Sequence, residues 1–179
     1  MKLYVDKNQQ KGKHELKHRY FEHNGYELVF LPLPEGDYVL ENPKIERVRQ
    51  NKASRGCDVT KNDISGLFDK SVDTKQHIQE LIQDVIQSHD RFRDELIRAQ
   101  DKGVQLYILV ENEDGVKKID DLFRWDNPRL KESPRATTGL KLYKIMKTMQ
   151  QRYDIEFMFC DKNSTGSEIV RLLRDSRRD

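Results

Sequence analysis

The stretch "VQLYILVE" at 104–111 limits the fold more than any other part of the chain. Its apolar residues follow one another without the alternation of a strand that has one wet face. A strand of this kind is covered on both faces and belongs in the interior of a sheet, with helices above and below it. "IEFMFC" at 155–160 reads as a second core strand. Between the two, 137–153 carries helical spacing led by Leu140, Leu142, Tyr143, Ile145, Met146 and Met149.

The earlier part of the chain supplies more strands. "KLYV" at 2–5 reads as a strand ending at Asp6, and a polar helical segment at 13–23 is closed by Gly25. Strands are predicted at 26–33 and 36–40. Residues 41–70 lack sustained periodicity and read as a charged loop or small insertion with one short helix. "SVDTK" at 71–75 reads as a short strand, with Val72 and Thr74 on one face and Asp73 and Lys75 on the other. Helical spacing then places Ile78, Leu81, Ile82, Val85 and Ile86 on one stripe. Phe92, Leu96 and Ile97 form a second stripe, and Gly103 stops the helix. "IDDLFRW" reads as a short helical turn, "NPRLKESP" as a loop and "TGSEIVRLLRD" as a last helix before a basic tail at about 175–179. Early strands followed by helices alternating with buried strands predict a single α/β domain over 1–179. Its mixed central sheet is flanked by helices.

Composition bears mainly on partners and location. Charged residues make up 36% and the apolar set 35%, yet net charge is only +2. Any attraction for nucleic acid must therefore come from a local basic patch. No apolar run reaches the length of a membrane span, and "MKLYVDKNQQ" has no signal-peptide core. Cys57 and Cys160 form no disulfide framework or metal-ligand spacing. A reduced cytoplasmic protein with no membrane partner is the expectation.

Two motifs carry chemistry. "HELKH", from His14 to His18, fits H-E-x-x-H, in which two histidines one helical turn apart hold zinc and the glutamate acts as base. Its flanks are basic and polar, and only His23 or Glu35 could be nominated as a third ligand. A solvated basic face is the first reading, with a nucleic-acid surface through Lys13 and Lys17 second and a zinc peptidase third. The other motif joins Asp37 of "PEGDYVL" to Asp73 and Lys75. Asp37 follows a glycine that lets the backbone turn, and Asp73 and Lys75 share a strand face. Two carboxylates on adjacent strands can bind one hard divalent cation while leaving positions for water and phosphate. A neighbouring lysine can orient or deprotonate the attacking water and offset charge on the phosphorane.

In order along the chain, "YVDKNQQ", "LPEGDYVL", "VDTKQHIQEL" and "LYILVE" resemble the landmarks of the XPF-type nuclease domain of the PD-(D/E)xK superfamily. The likeness extends to compact stand-alone phage and prophage versions, through "SHDRFRDELIRA" and "FMFCDK", and runs from about Leu3 to Leu173. The resemblance implies a restriction-endonuclease-like core and Mg²⁺- or Mn²⁺-dependent cleavage of DNA, at branched or flapped structures. It implies that Asp37, Asp73 and Lys75 are catalytic and that Asp6, Asp37 and Asp73 hold metal. Three positions depart from the family pattern. Gln9 stands where a glutamate is usual, Thr74 where the arginine of E-R-K is usual, and Gln79 where a trailing aspartate is usual. These departures keep a second function open, a DNA-binding module with weak or lost catalysis.

Other residues are candidates for supporting roles. Glu80, Arg91, Glu95 and Glu111 are candidates for contact with substrate or with the metal ligands. The helix carrying Arg91 and Glu95 reads first as a wet surface, with those two the exceptions. Arg47, Arg49 and Arg55, with Lys44 and Lys52, would make 41–70 a DNA-facing segment. No helix-hairpin-helix pattern follows the last helix, so grip on DNA is expected from the domain itself, from a homodimer, or from a phage or host protein.

Overall fold

The computed structural model describes residues 1–9 and 12–175. Its six strands are β1 (Lys2–Asp6), β2 (Glu27–Leu31), β3 (Tyr38–Leu40), β4 (Lys70–Lys75), β5 (Gln105–Glu111) and β6 (Ile155–Cys160). They form one sheet in the order β2-β1-β3-β4-β5-β6. β1 and β2 are parallel, β3 is antiparallel to both its neighbours, and β4, β5 and β6 run parallel. The sheet is mixed, as the sequence predicts. All seven residues of β5 are buried, as its unbroken apolar run requires.

Alternation along each strand divides the core in two. Leu106, Ile108 and Val110 of β5 join the larger apolar cluster, whereas Tyr107 and Leu109 join the smaller one. The smaller face is covered by α1 (Glu15–His23), through Phe21, and by α7 (Thr165–Arg174), through Ile169, Leu172 and Leu173. The larger face is covered by α2 (Pro43–Ser54), α3 (Lys61–Ile64), α4 (Ile78–Ile82), α5 (His89–Asp101) and α6 (Gly139–Arg152). Phe92, Leu96, Leu142 and Met146 are buried there. Among the described residues, no helix is long and apolar enough to cross a membrane.

The segment at 41–70, expected as a charged loop or small insertion with one short helix, is more helical than that. It contains the three-turn helix α2 and the single turn α3. Asn42 caps α2 by accepting from Lys44 N at 2.8 Å, and Pro43 occupies the first helical turn, where its missing N–H costs nothing. Ile45 is the only residue that α2 buries, so its 3.6-residue period is faint in the sequence. The single helix expected after Gln76 is also broken. A π-helical turn at Gln83–Gln87 separates α4 from α5 and buries both Asp84 and Val85. Two residues assigned to apolar stripes lie at the surface instead, Ile97 at 37% and Leu140 at 40% exposure. The part of the basic tail beyond Asp175 lies outside the described residues.

Candidate active site

β4 positions the central pair. Asp73 and Lys75 lie beside Ile108 and Val110 in the parallel register with β5, on the larger face, while Val72 packs on the smaller one. Lys75 Nζ is 2.7 Å from Asp73 Oδ2 and 2.7 Å from Asp84 Oδ2, and it stands 5.6 Å from the centre of the Phe92 ring. The side chains of all three charged residues are nearly buried, at 10 to 12% exposure.

β3 brings Asp37 to the same end. Tyr38 pairs with Val72, and Asp37 N donates to Val72 O at 2.8 Å. Gly36, just before it, has φ of +69°, and a Cβ there would lie 2.2 Å from Ser71 Oγ. Only glycine permits both that turn and that approach. Asp37 Oδ2 accepts from Thr74 N at 3.0 Å and from Thr74 Oγ1 at 2.5 Å. Thr74, where the family pattern has arginine, is therefore tied to the neighbouring carboxylate.

The electrostatics follow from crowding carboxylates in a dry place. Burial raises the pKa of Asp37, against the two Thr74 hydrogen bonds and the Lys75 charge. Asp73 is pushed up to about 6, first by burial and also by Asp37 and Asp84, with Lys75 opposing. Burial by itself would pull Lys75 down, but Asp73 and Asp84 outweigh it and hold its pKa above the ordinary lysine value. Those two carboxylates favour the ammonium form of Lys75.

α5 contributes a further acid. Glu95 Oε1 accepts from Gly36 N at 3.3 Å, and its pKa is raised by burial and by Asp73. Glu35, 2% exposed, lies near Glu95 and Arg98 and is raised chiefly by burial. Arg91, largely exposed, reaches Asp84 at 3.1 Å. Glu95 and Arg91 therefore both belong to the cluster. Asp84 is the residue that the sequence reading misses. Its one signal is its place three residues after Leu81, at the margin of an apolar stripe.

Other expected participants are placed elsewhere. Asp6 N donates to Asp37 O at 2.9 Å, yet the Asp6 carboxylate accepts from Leu33 N and Asn8 Nδ2, both at 3.2 Å. Among the described residues, no three His, Cys, Asp or Glu side chains gather into a set able to hold a metal ion. Asp6, expected to join Asp37 and Asp73, has its carboxylate engaged by Leu33 N beyond β2 and by Asn8. Asp37 and Asp73 remain as a donor pair. Asp37 raises the proton affinity of Asp73, and burial raises that of both, a pairing that suits a divalent cation whose other ligands are water and phosphate, the habit of Mg²⁺.

Glu80 Oε2 accepts from Gln76 N at 2.7 Å and so serves the start of α4, not the cluster. Gln79, at the position of the trailing aspartate, donates to Asn127 Oδ1 at 2.7 Å. Glu111 and Lys17 form an ion pair with side chains only 4% and 3% exposed, so Lys17 is not a DNA-facing residue. Its aliphatic stem follows the buried face of α1 and its charge is taken up by the end of β5. Lys13, Arg47 and Arg55 are exposed, whereas Arg49 pairs with Glu46 at 2.7 Å and Lys52 with Asp63 at 2.9 Å.

"HELKH" is not the solvated face expected first. His14 and His18 are half-buried and stacked, with ring centres 6.1 Å apart. Burial lowers the pKa of both, that of His14 to about 4. No third ligand joins them among the described residues. His23 is exposed at the far end of α1, and Glu35 lies with Glu95 and Arg98.

No protein-family model matches the chain, and no curated protein matches it by sequence. By structure it is similar to XPF from Aeropyrum pernix and to XPF from Aeropyrum pernix in complex with DNA. The TM-score is 0.59 and the identity 18% in both cases, over 100% and 97% of this chain. The chain spans 63% of the length of each of those chains. At that identity the likeness concerns architecture: this chain has an XPF-like fold.

Proposed function

We propose that the protein is a divalent-metal-dependent DNA endonuclease acting at branched, flapped or otherwise non-standard DNA. The observation that carries this reading is the meeting of Asp37, Asp73 and Lys75 at the adjoining ends of β3 and β4. These are an acid, an acid and an amine that metal-assisted phosphodiester hydrolysis can use. Asp37 and Asp73 would hold Mg²⁺ or Mn²⁺, which when bound supplies Lewis acidity and lowers the pKa of its water. Lys75, fixed by Asp73 and Asp84, presents a permanent positive charge toward a phosphate and can orient the attacking water by hydrogen bonding. The low dielectric around these nearly buried groups strengthens that stabilisation. Glu95 holds Gly36, and through it the turn that delivers Asp37. Lys13, Arg47 and Arg55 are the exposed bases available for phosphate contacts along the strand. A homodimer, or a phage or host protein, would extend that grip.

One observation favours a second reading, a DNA-binding module with little catalysis. Both Thr74 donors lie on Asp37 Oδ2, so one of the two oxygens a cation could use already carries two hydrogen bonds. A panel of flap, fork, Holliday-junction, single-stranded and duplex DNAs assayed with Mg²⁺ and with Mn²⁺ separates the two. Cutting that is lost in Asp73→Asn and Lys75→Ala, with circular dichroism unchanged, supports the nuclease. Binding to branched DNA in EDTA without cutting under either metal supports the module.

A further inference from the structure

The sheet has a second recess on its smaller face, beside the Asp37 turn. A cavity of about 350 Å³ opens there between α1 and the end of β2, lined by Asp6, Gln9, His14, Glu15, His18 and Phe30 among others. That volume lies at the low end of small-molecule sites, about 300–1,000 Å³. Phe30 is 53% exposed although it sits on a strand, and the His18 ring meets it at 5.8 Å and 73°. His14 continues the ring series by stacking on His18. His18 Nε2 is buried with no hydrogen-bond partner among the described residues.

The cavity wall is continuous with the proposed catalytic turn. Asp6, on the wall, donates its backbone N–H to Asp37 O. Tyr38, the residue after Asp37, contacts both Gln9 Oε1 and His14 Nδ1 through its hydroxyl, at 3.4 Å each. A group held in this cavity therefore lies one strand end away from Asp37.

We propose that this cavity holds one unpaired nucleobase of the DNA strand being cut, stacked on Phe30 beside the His14 and His18 rings. The inference rests on the nuclease reading for the identity of the strand. The chemistry of the wall selects a flat neutral ring over other ligands. Lys7 is the cation on this wall, but Asp6 and Glu15 stand against it and burial lowers the proton affinity of both imidazoles, so the wall offers a phosphate no net positive charge. A transition metal would find two imidazoles and no third ligand. An aromatic platform with amide and carboxylate groups at its edge suits a base, whose face stacks and whose edge both donates and accepts. A base inside a duplex must leave the stack to enter such a recess, and that step costs least where the strand is already unpaired. The cavity thus provides a physical basis for preferring flaps and forks to plain duplex.

The test is a cycle on the whole protein in EDTA, with fork DNA and with the same fork carrying one abasic site at each successive single-stranded position. One abasic position is expected to weaken binding about ten-fold, within the range for loss of one base–aromatic stack. Phe30→Ala should weaken binding of the intact fork equally and abolish the sensitivity to that position, and Phe30→Trp should restore both. His18→Ala provides a second, independent variant. The absence of any sensitive position, or equal sensitivity in wild type and Phe30→Ala, overturns the proposal. So does stoichiometric zinc in the purified protein that His18→Ala removes. Cleavage of the same forks with Mg²⁺ is read separately. Cutting without a sensitive position removes the base site and leaves the nuclease; a coupled position without cutting does the reverse.

Discussion

Lys75 and Asp84, nine positions apart, form a 2.7 Å ion pair across the gap between β4 and the π-helical turn. Asp84 sits in a π turn, where the helix is locally under-wound, a feature that recurs at functional sites. The pair gives the ammonium a second carboxylate and so fixes where its charge points.

Removal of one partner should leave a buried charge exposed to its own desolvation cost. Asp84→Ala is expected to lower stability by about 3 kcal/mol, as for other broken buried pairs. Cleavage should fall at least about ten-fold, since Lys75 would no longer be held from two sides. Arg91→Ala removes only the solvent-facing partner of Asp84 and should cost less than about 1 kcal/mol. Urea denaturation of the two variants checks the contrast, and similar losses in both would argue against a special role for the Lys75 pair.

The raised pKa of Asp73 predicts a pH dependence of known sign. Between its ordinary value of 3.8 and about 6, the folded protein keeps a proton on Asp73 that the unfolded chain has released. Stability of the metal-free protein should therefore rise as pH falls from 7 through 6 toward 4, as far as this group is concerned. Asp73→Asn should flatten that part of the profile. Mg²⁺, if held by Asp37 and Asp73, should stabilise the wild type most above pH 6. Chemical denaturation midpoints at several pH values, with and without Mg²⁺, provide the measurement.

The Lys17–Glu111 pair predicts a purely structural phenotype. Glu111→Gln should cost about 3 kcal/mol by stranding the ammonium, whereas replacing both residues with Met or Leu should recover most of that loss. DNA affinity should change little in the double variant, because Lys17 does not face solvent. A large drop in affinity at normal stability would return Lys17 to the DNA surface.

Gly36→Ala should be among the most damaging single-methyl changes. The added Cβ meets Ser71 Oγ at 2.2 Å and Val72 O at 3.1 Å, in a left-handed backbone conformation. The expected loss is about 2–4 kcal/mol, combining overpacking with backbone strain. Thermal denaturation measures it. If the fold survives in part, cutting should fall further than stability alone explains, because the same turn delivers Asp37.

Local, repeated signals are the ones legible in the sequence. The buried run of β5, the alternation that puts Asp73 and Lys75 on one face and the glycine before Asp37 all have short-range causes. α2 is not legible in this way, because it buries one side chain and so shows little period. Ile97 and Leu140 have the spacing of apolar stripes and yet are partly wet.

Long-range placement needed the fold. The sequence by itself determined an α/β domain with a buried central strand and set the acidic and basic groups at strand ends, because strand and helix periods are properties of neighbouring residues. Only the tertiary structure decided that Asp84 joins Lys75, that the Asp6 carboxylate is engaged by Leu33 N, and that Lys17 is buried against Glu111. Those outcomes depend on the crossing of elements far apart in the chain and on which charge each buried group must find once water is gone.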